Sequence, residues 1–395
     1  MPPHPRDVLA ERLRPFTTTI FSEMSELALT TGSLNLGQGF PDTDGPAELK
    51  RVATEAIADG RNQYPPSQGV PELRAAVAAH QQSWYGLTFA PENEVLVTTG
   101  ATEAIAAALL ALCEPGDEVV MFEPTYDSYA ACASMAGATP RLVRLHPPDW
   151  AFDPAELAAA IGPRTRLVLL NSPHNPTGKV FGPAELALIA ELCCAHDILA
   201  VTDEVYEHLV FDGTHVPLAT FPGMAERTLS ISSGGKTFSF TGWKVGWATG
   251  PAPLISAVRA AKQFLTYTSG APFQLAIAQG LAAEPAELNR FGAELKAKRD
   301  LFCDGLDRLG FTVYRPAATY FATTDIAPVA PGLTAYDFCR ALPERCGVVA
   351  IPSSVFYGAP GGDAPAGQTL VRWAFCKRVE VLEEALARLA RWAPS

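Results

Sequence analysis

Basic residues are scarce in this chain: 30 Lys and Arg stand against 42 Asp and Glu in 395 residues, a formal net charge of −12. That balance works against extended contact with nucleic acid or an anionic membrane, so an anionic ligand has to find a local cationic pocket. Long apolar runs are missing as well. The longest, Ile105–Cys113, is about half of what a bilayer span requires. The start of the chain sets Pro2, Pro3 and Pro5 beside Arg6, Asp7, Glu11, Arg12 and Arg14, without the apolar stretch that marks a secretory signal. The 8 cysteines show no CxxC spacing, and Cys193 and Cys194 are adjacent, a pattern that suggests neither a disulfide framework nor a zinc site. Small buried thiols in a reducing cytoplasm, and no metal, are the expectation. Charged residues make up only 18% and hydrophobic residues 48%, which excludes a disordered chain or a coiled coil and leaves a globular protein with room for a large domain and a smaller one.

Between residues 94 and 250 short apolar runs alternate with helical patterns. Strands are predicted over Glu94–Thr98, Glu118–Phe122, Arg141–Leu145, Arg166–Leu170 and Ile198–Thr202, and helices over Thr102–Cys113, Thr125–Met135, Pro154–Ile161 and Pro183–Ala195. This alternation predicts an α/β fold with a doubly wound, mostly parallel sheet. Beyond Pro285 the pattern changes to a long helix to Leu309, strand-like runs at Phe311–Thr324, Val348–Ile351 and Gln368–Phe375, and helices at 335–342 and 379–391, a smaller α+β unit. Pro328–Leu333 and Gly358–Gly367 read as loops.

Four segments carry chemistry. In Ser233-Gly234-Gly235-Lys236-Thr237-Phe238, the end of a P-loop pattern is present, but its first glycine position holds Ser230, and Gly242 and Gly246 among aromatics follow where a P-loop needs a helix. Lys236 is either a solvated surface lysine or, with glycines before it and Phe238, Phe240 and Trp243 after it, a desolvated amine of lowered pKa fit to form a Schiff base. Asp203 ends the apolar run from Ile198, and can be a ligand at a strand's carboxyl end or a helix cap. The loop Asn171-Ser172-Pro173-His174-Asn175-Pro176-Thr177-Gly178 follows a strand with two X-Pro bonds, and is either a plain turn or a rigid loop that aims Asn175 inward, with a cis Asn175-Pro176 bond expected. Thr98 to Glu103 reads as strand, glycine, helix, so the backbone N–H groups of Gly100, Ala101 and Thr102 form an anion site of the kind any such turn offers.

In order and spacing these segments resemble the fold type I pyridoxal-phosphate enzymes, the class I and II aminotransferases of the aspartate aminotransferase superfamily. The resemblance is carried by NPTG at Asn175–Gly178, DEVY at Asp203–Tyr206, SGGKTFSFTGWKVGW at Ser233–Trp247 and VRWAF at Val371–Phe375, and extends to Leu34–Asp42 and Asn62–Arg74, so it spans almost the whole chain. It implies a pyridoxal 5'-phosphate cofactor bonded to Lys236, which then carries the proton between the substrate Cα and the cofactor. Asp203 would pair with the ring nitrogen, Asn175 and Tyr206 with the ring hydroxyl, and Tyr126 would stack on the ring. The phosphate would take Gly100, Ala101, Thr102, Ser233 and Lys244. Arg372, in the alternating run Leu370–Phe375, would clamp the substrate α-carboxylate if it is not in an internal salt bridge, with Gly39 as the opposite wall. The resemblance further implies a homodimer in which Tyr64 reaches the neighbouring subunit's cofactor phosphate. It also implies an N-terminal arm over 1–45 joined to the small domain, a large cofactor-binding domain over 46–285 and a small domain over 286–395.

Within the family, kynurenine-type enzymes carry an aromatic residue and a histidine shortly before a Pro-x-Gln. Here Ser269-Gly270-Ala271 precede Pro272-Phe273-Gln274, a more open segment that looks more like the N-succinyl-diaminopimelate aminotransferases. Amino-group exchange with the 2-oxoglutarate/glutamate pair is the expected reaction, with kynurenine, glutamine and methionine as alternative donors and β-elimination from cysteine conjugates as an alternative outcome.

Overall fold

The computed structural model describes residues 8–16, 20–283, 285–358 and 366–392; the start of the chain through Asp7 and most of the Gly358–Gly367 loop lie outside these. Thirteen strands follow in chain order among the described residues: β1 Leu34–Asn35, β2 Val95–Thr99, β3 Glu118–Glu123, β4 Thr139–Arg144, β5 Thr165–Asn171, β6 Leu199–Asp203, β7 Thr228–Ser233, β8 Val245–Thr249, β9 Thr312–Tyr314, β10 Phe321–Asp325, β11 Val348–Val349, β12 Ile351–Pro352 and β13 Leu370–Ala374.

Seven of them form one sheet in the order β2-β8-β7-β6-β5-β3-β4. The pairs from β4 across to β7 are parallel, and β8 lies antiparallel between β7 and β2. Alternate residues of each strand serve opposite faces. Val119, Met121, Leu167 and Leu169 pack beneath the helices Gly100–Leu112 and Ala252–Leu265, while Val120, Phe122, Val168 and Leu170 pack against Leu157, Leu186 and Ile189 on the other side. Both faces are covered, so the strands read as unbroken apolar runs. The five predicted strands appear within a residue or two of their expected bounds. The other two escape prediction because β7, Thr-Leu-Ser-Ile-Ser-Ser, carries buried serines where the pattern demands apolar side chains. The edge strand β4 accepts Pro140, which a central strand would not.

A four-stranded antiparallel sheet, β12-β13-β10-β9, holds the C-terminal part together with the helices Pro285–Arg308, Ala335–Cys346 and Val379–Leu389. The N-terminal helix Ile20–Thr31 joins the same core through Met24 and Ala28, and β1 pairs in parallel with β11, bringing residues 34–40 alongside. The run Phe311–Thr324 is two strands with a break, because Pro316 removes a ladder donor and Thr319 turns the chain with φ +70°.

Candidate active site

The parallel strands all end on one side, where an open α/β sheet leaves a crevice for ligands. β2 ends at Thr99 before Gly100, β3 at Glu123 before Tyr126, β5 at Asn171 before Asn175, β6 at Asp203 itself, and β7 at Ser233 before Lys236. A cavity of about 380 Å³ lies there. It brings together the expected Gly100, Ala101, Thr102, Tyr126, Asn175, Asp203, Tyr206, Ser233, Lys236 and Lys244, and from the other part of the chain Gly39 and Arg372.

At one end the helix Gly100–Leu112 points its first N–H groups inward beside buried Ser233. Gly100 has φ +73°, and a Cβ there would stand 3.2 Å from Lys244 Nζ, so a side chain would be both strained and in the way of the cation. A Cβ on Gly246 would come within 2.6 Å of the Gly100 carbonyl carbon, which shows how tightly β8 presses on this turn. Amides, a hydroxyl and an ammonium lining one end of a cavity are the groups that can hold a phosphate.

Deeper in, Asp203 is buried, and burial raises its carboxyl to about 6, against the pull of the Tyr129 hydroxyl at 2.7 Å and the Val205 N–H at 3.3 Å. The two readings of Asp203 coincide: it caps the turn that follows and faces the cavity. A buried carboxylate with two donors among the described residues suits a cationic ring nitrogen. Asn175 lies where a rigid loop would put it, its backbone N–H held by Asn171 Oδ1 at 2.7 Å, and both Asn175-Pro176 and Ser172-Pro173 are cis.

Lys236 belongs to a single helical turn, Gly234–Thr237. Its flank faces the cavity, yet the surrounding protein lowers its ammonium to about 8 by desolvation, opposed in part by Asp203. The rings expected to do this are elsewhere. Phe238 and Phe240 pack into a separate core with Val97 and Trp247, since Phe238 lies two residues on from Lys236 and Ser239, at φ +59°, turns the chain before Phe240, and the rings near Nζ are Tyr206 at 5.7 Å and Tyr320 at 5.5 Å. Beneath the turn, His208 holds Thr237 Oγ1 at 3.0 Å and His80 Nε2 at 2.8 Å, a buried network that fixes the backbone next to the lysine.

Arg372 is 1% exposed. It donates to Asn175 Oδ1 and to the Gly37 carbonyl, each at 3.0 Å, and its Cζ lies over the Phe321 ring, 4.1 Å from the centroid. Its Nε has no partner, and among the described residues no carboxylate comes within ion-pair distance of it. Burial lowers the guanidinium to about 10. A buried, charged fork without a counter-charge, opening on a cavity, is made for an incoming carboxylate. Tyr64 is the exception to the clustering: it is 85% exposed, touches Tyr267 edge-on at 5.8 Å and lies away from the cavity of its own chain.

The sequence matches the family model for aminotransferase class I and II over residues 31–389. The chain belongs to the class I and II aminotransferases. A solved structure of N-succinyldiaminopimelate aminotransferase from Mycobacterium tuberculosis superposes on this aminotransferase with a TM-score of 0.94 at 51% identity, covering 98% of this chain and 100% of that one. The methionine aminotransferase of Escherichia coli is 39% identical, over 94% of this chain and 95% of its own length, and kynurenine–oxoglutarate transaminase 3 of Mus musculus is 36% identical, over 97% and 90%. Enzymes of this family depend on pyridoxal 5'-phosphate. The site fits that group: a phosphate cradle at Gly100, Ser233 and Lys244, a buried carboxylate at Asp203 and a lysine with a depressed pKa lie around one cavity. Among the described residues no helix of the aminotransferase is long and apolar enough to cross a membrane.

Several neighbours of the cavity escape the sequence reading, Tyr129 and Tyr320 among them. Tyr129 is three residues after Tyr126 on the helix Asp127–Met135, a spacing that puts both phenols on one face and could have announced it. Tyr320 stands just before β10 and reaches Lys236, a contact that no local pattern signals.

Proposed function

We propose that this aminotransferase moves the amino group of an N-succinylated diamino acid, N-succinyl-diaminopimelate, to 2-oxoglutarate, giving glutamate. The observation that carries the exchange chemistry is Arg372: buried and without a counter-carboxylate, it lies across the cavity that Lys236 lines, so one anchor can hold the α-carboxylate of an amino acid and of an oxo acid in turn. When bound, pyridoxal phosphate supplies the electron sink that acidifies the substrate Cα–H. Lys236, whose ammonium burial lowers to about 8, carries the proton; Asp203 holds the ring nitrogen protonated; Asn175 and Tyr206 hydrogen-bond the ring hydroxyl; Tyr126 covers the ring. Gly100, Ala101, Thr102, Ser233 and Lys244 take the phosphate, and Gly39 walls the substrate.

The donor is supported by the Mycobacterium tuberculosis relative, 51% identical over nearly the whole chain, and by the open Ser269-Gly270-Ala271 segment. A second reading has its own support: Phe21, Phe40 and Tyr126 line the cavity and favour apolar donors such as methionine or kynurenine. The enzyme is read as a cytoplasmic homodimer. Tyr64, exposed on its own chain, serves the partner's phosphate, and the units are an arm over 1–45, a large domain over 46–285 and a small domain over 286–395. A screen of N-succinyl-diaminopimelate, methionine, kynurenine and glutamine against 2-oxoglutarate tests the substrate. The succinylated donor is expected to give the highest kcat/KM; a hundredfold preference for methionine or kynurenine overturns the reading, and pyruvate released from cysteine conjugates in place of glutamate would mark a lyase.

A further inference from the structure

Lys236 has a partner that none of the motifs announces. Its Nζ donates to the Tyr320 hydroxyl at 2.8 Å, and that hydroxyl donates in turn to the Gly39 carbonyl at 2.7 Å. A phenol has one proton and a carbonyl can only accept, so the proton of Tyr320 is committed to Gly39 and its oxygen is left to accept from Lys236. The Tyr206 side chain also hydrogen-bonds the Tyr320 phenol, so Tyr320 links Lys236 and Tyr206 to the backbone at Gly39. Tyr320 has no accessible surface, and Tyr206 stands edge-on to its ring at 5.4 Å. The residue before it, Thr319, adopts φ +70°, a left-handed conformation that β-branched side chains rarely take. Strain of this kind persists only where the surroundings hold it, and it gathers at functional sites. Here the Thr319 N–H is held by the Leu209 carbonyl at 2.8 Å, and its Oγ1 accepts the Phe321 N–H at 3.2 Å.

We propose that Tyr320 is a positioning residue for the transamination reaction, the resting partner of the Lys236 amine whenever that amine is not bonded to the cofactor. The proposal rests on the assignment of Lys236 as the proton-carrying base. An acceptor that engages one N–H turns the nitrogen lone pair away from Tyr320 and toward the cavity, and restrains a long, flexible side chain at the moment it must meet the substrate Cα. The same phenol is tied to Gly39, while Arg372 donates to Gly37. Base and carboxylate clamp therefore both take their position from one backbone segment, 37–39, and a substrate seated against that segment meets the amine in register.

Tyr320→Phe keeps the ring and removes only the oxygen. The other groups that act on Lys236 remain: Asp203 and Cys376, which favour its protonated form, Arg372 and Lys244, which oppose it, and the Tyr206 ring. In single-turnover reaction with the amino acid, the proton-transfer rate is expected to fall roughly ten- to a hundredfold, with KM little changed and a larger isotope effect from Cα-deuterated substrate. In the full-length protein freed of cofactor, the pH midpoint for labelling of Lys236 by an amine-directed reagent, read by mass spectrometry, is expected to move down, because the ammonium has lost an acceptor. An unchanged isotope effect together with an unchanged midpoint overturns the proposal. If the phenylalanine variant does not fold, 3-fluorotyrosine at position 320 preserves shape and weakens the acceptor; the same downward shift is expected, and its absence is equally decisive. Lys236→Ala separates the two levels of the argument. Exchange activity surviving in that variant refutes the assignment of the base, whereas an inactive Lys236→Ala beside an unaltered Tyr320→Phe refutes the role of Tyr320 alone.

Discussion

At Asp203 function and stability pull in opposite directions, and the opposition can be measured. Burial moves this carboxyl from its ordinary 3.8 to about 6, so the folded chain holds the proton more tightly than the unfolded chain does. Ionisation therefore opposes folding: the opposition is absent below about pH 3.8, grows as pH rises, and is complete above about pH 6. Two pH units at about 1.4 kcal/mol each amount to about 3 kcal/mol in the cofactor-free protein at neutral pH. Asp203→Asn removes the charge at nearly constant shape, and gives up about 1 kcal/mol because one side of the amide presents donors where the carboxylate accepted from Tyr129 and Val205. The variant is thus expected to be about 1 kcal/mol less stable than wild type near pH 4 and about 2 kcal/mol more stable above pH 6, with a crossover between. Denaturant midpoints of both cofactor-free proteins from pH 4 to 8, at matched concentration, give the difference. Buried histidines such as His208, lowered to about 4, destabilise the fold in acid, but they are common to both proteins and cancel. A variant less stable than wild type at pH 8, or a difference flat with pH, would refute the reasoning. Added pyridoxal phosphate should reverse the order, since only the carboxylate can pair with a protonated ring nitrogen.

Other perturbations probe the remaining roles. Arg372→Met keeps most of the bulk over Phe321 and should weaken amino acid and oxo acid binding alike, by roughly 10²- to 10³-fold, as removal of one partner from a buried charged contact does; unchanged KM values in both directions would make the residue purely structural. Lys244→Ala should raise the cofactor dissociation constant by about tenfold and flatten its dependence on salt, read by equilibrium titration. Borohydride reduction of the holoenzyme should leave the cofactor's mass on the peptide carrying Lys236, and a modified peptide elsewhere would contradict that assignment. On the proposed dimer, chains carrying both Tyr64→Phe and Lys236→Ala, mixed with wild type, are expected to give heterodimers whose one lysine-bearing site receives Phe from the partner; that site should bind cofactor more weakly than the wild-type protein, and equal affinity would remove Tyr64 from the neighbouring site.

The parts of the site that local chemistry dictates were legible in the sequence. Asp203 terminates an apolar strand, Gly100 sits between a strand and a helix, and Arg372 alternates with large apolar residues, so each declares its position through its immediate neighbours. Contacts between distant segments leave no such trace. Tyr320 reaches Lys236 across 84 positions of sequence, while Phe238 and Phe240, near that lysine in sequence, are turned away from it in space and do not desolvate it. The strands β7 and β8 are illegible in the sequence for a related reason. Their place in the middle of the sheet is decided by partners on either side, and neither the serines of β7 nor the glycine of β8 announces a buried strand.

The antiparallel placement of β8 also orders events in time. β2 has one neighbour in the sheet, and that neighbour emerges from the ribosome roughly 150 residues later, on the order of ten to thirty seconds at usual elongation rates. Throughout that interval the apolar strand Val95–Thr99 has no ladder to join, and the turn at Gly100 is not yet braced by Gly246. The nascent chain thus carries an open edge for much of its synthesis, the period in which mispairing with other chains is most damaging and chaperone contact most useful. Cofactor cannot relieve it, because the lysine and the cradle that would capture it are completed in the same late stretch, Ser233 to Thr249.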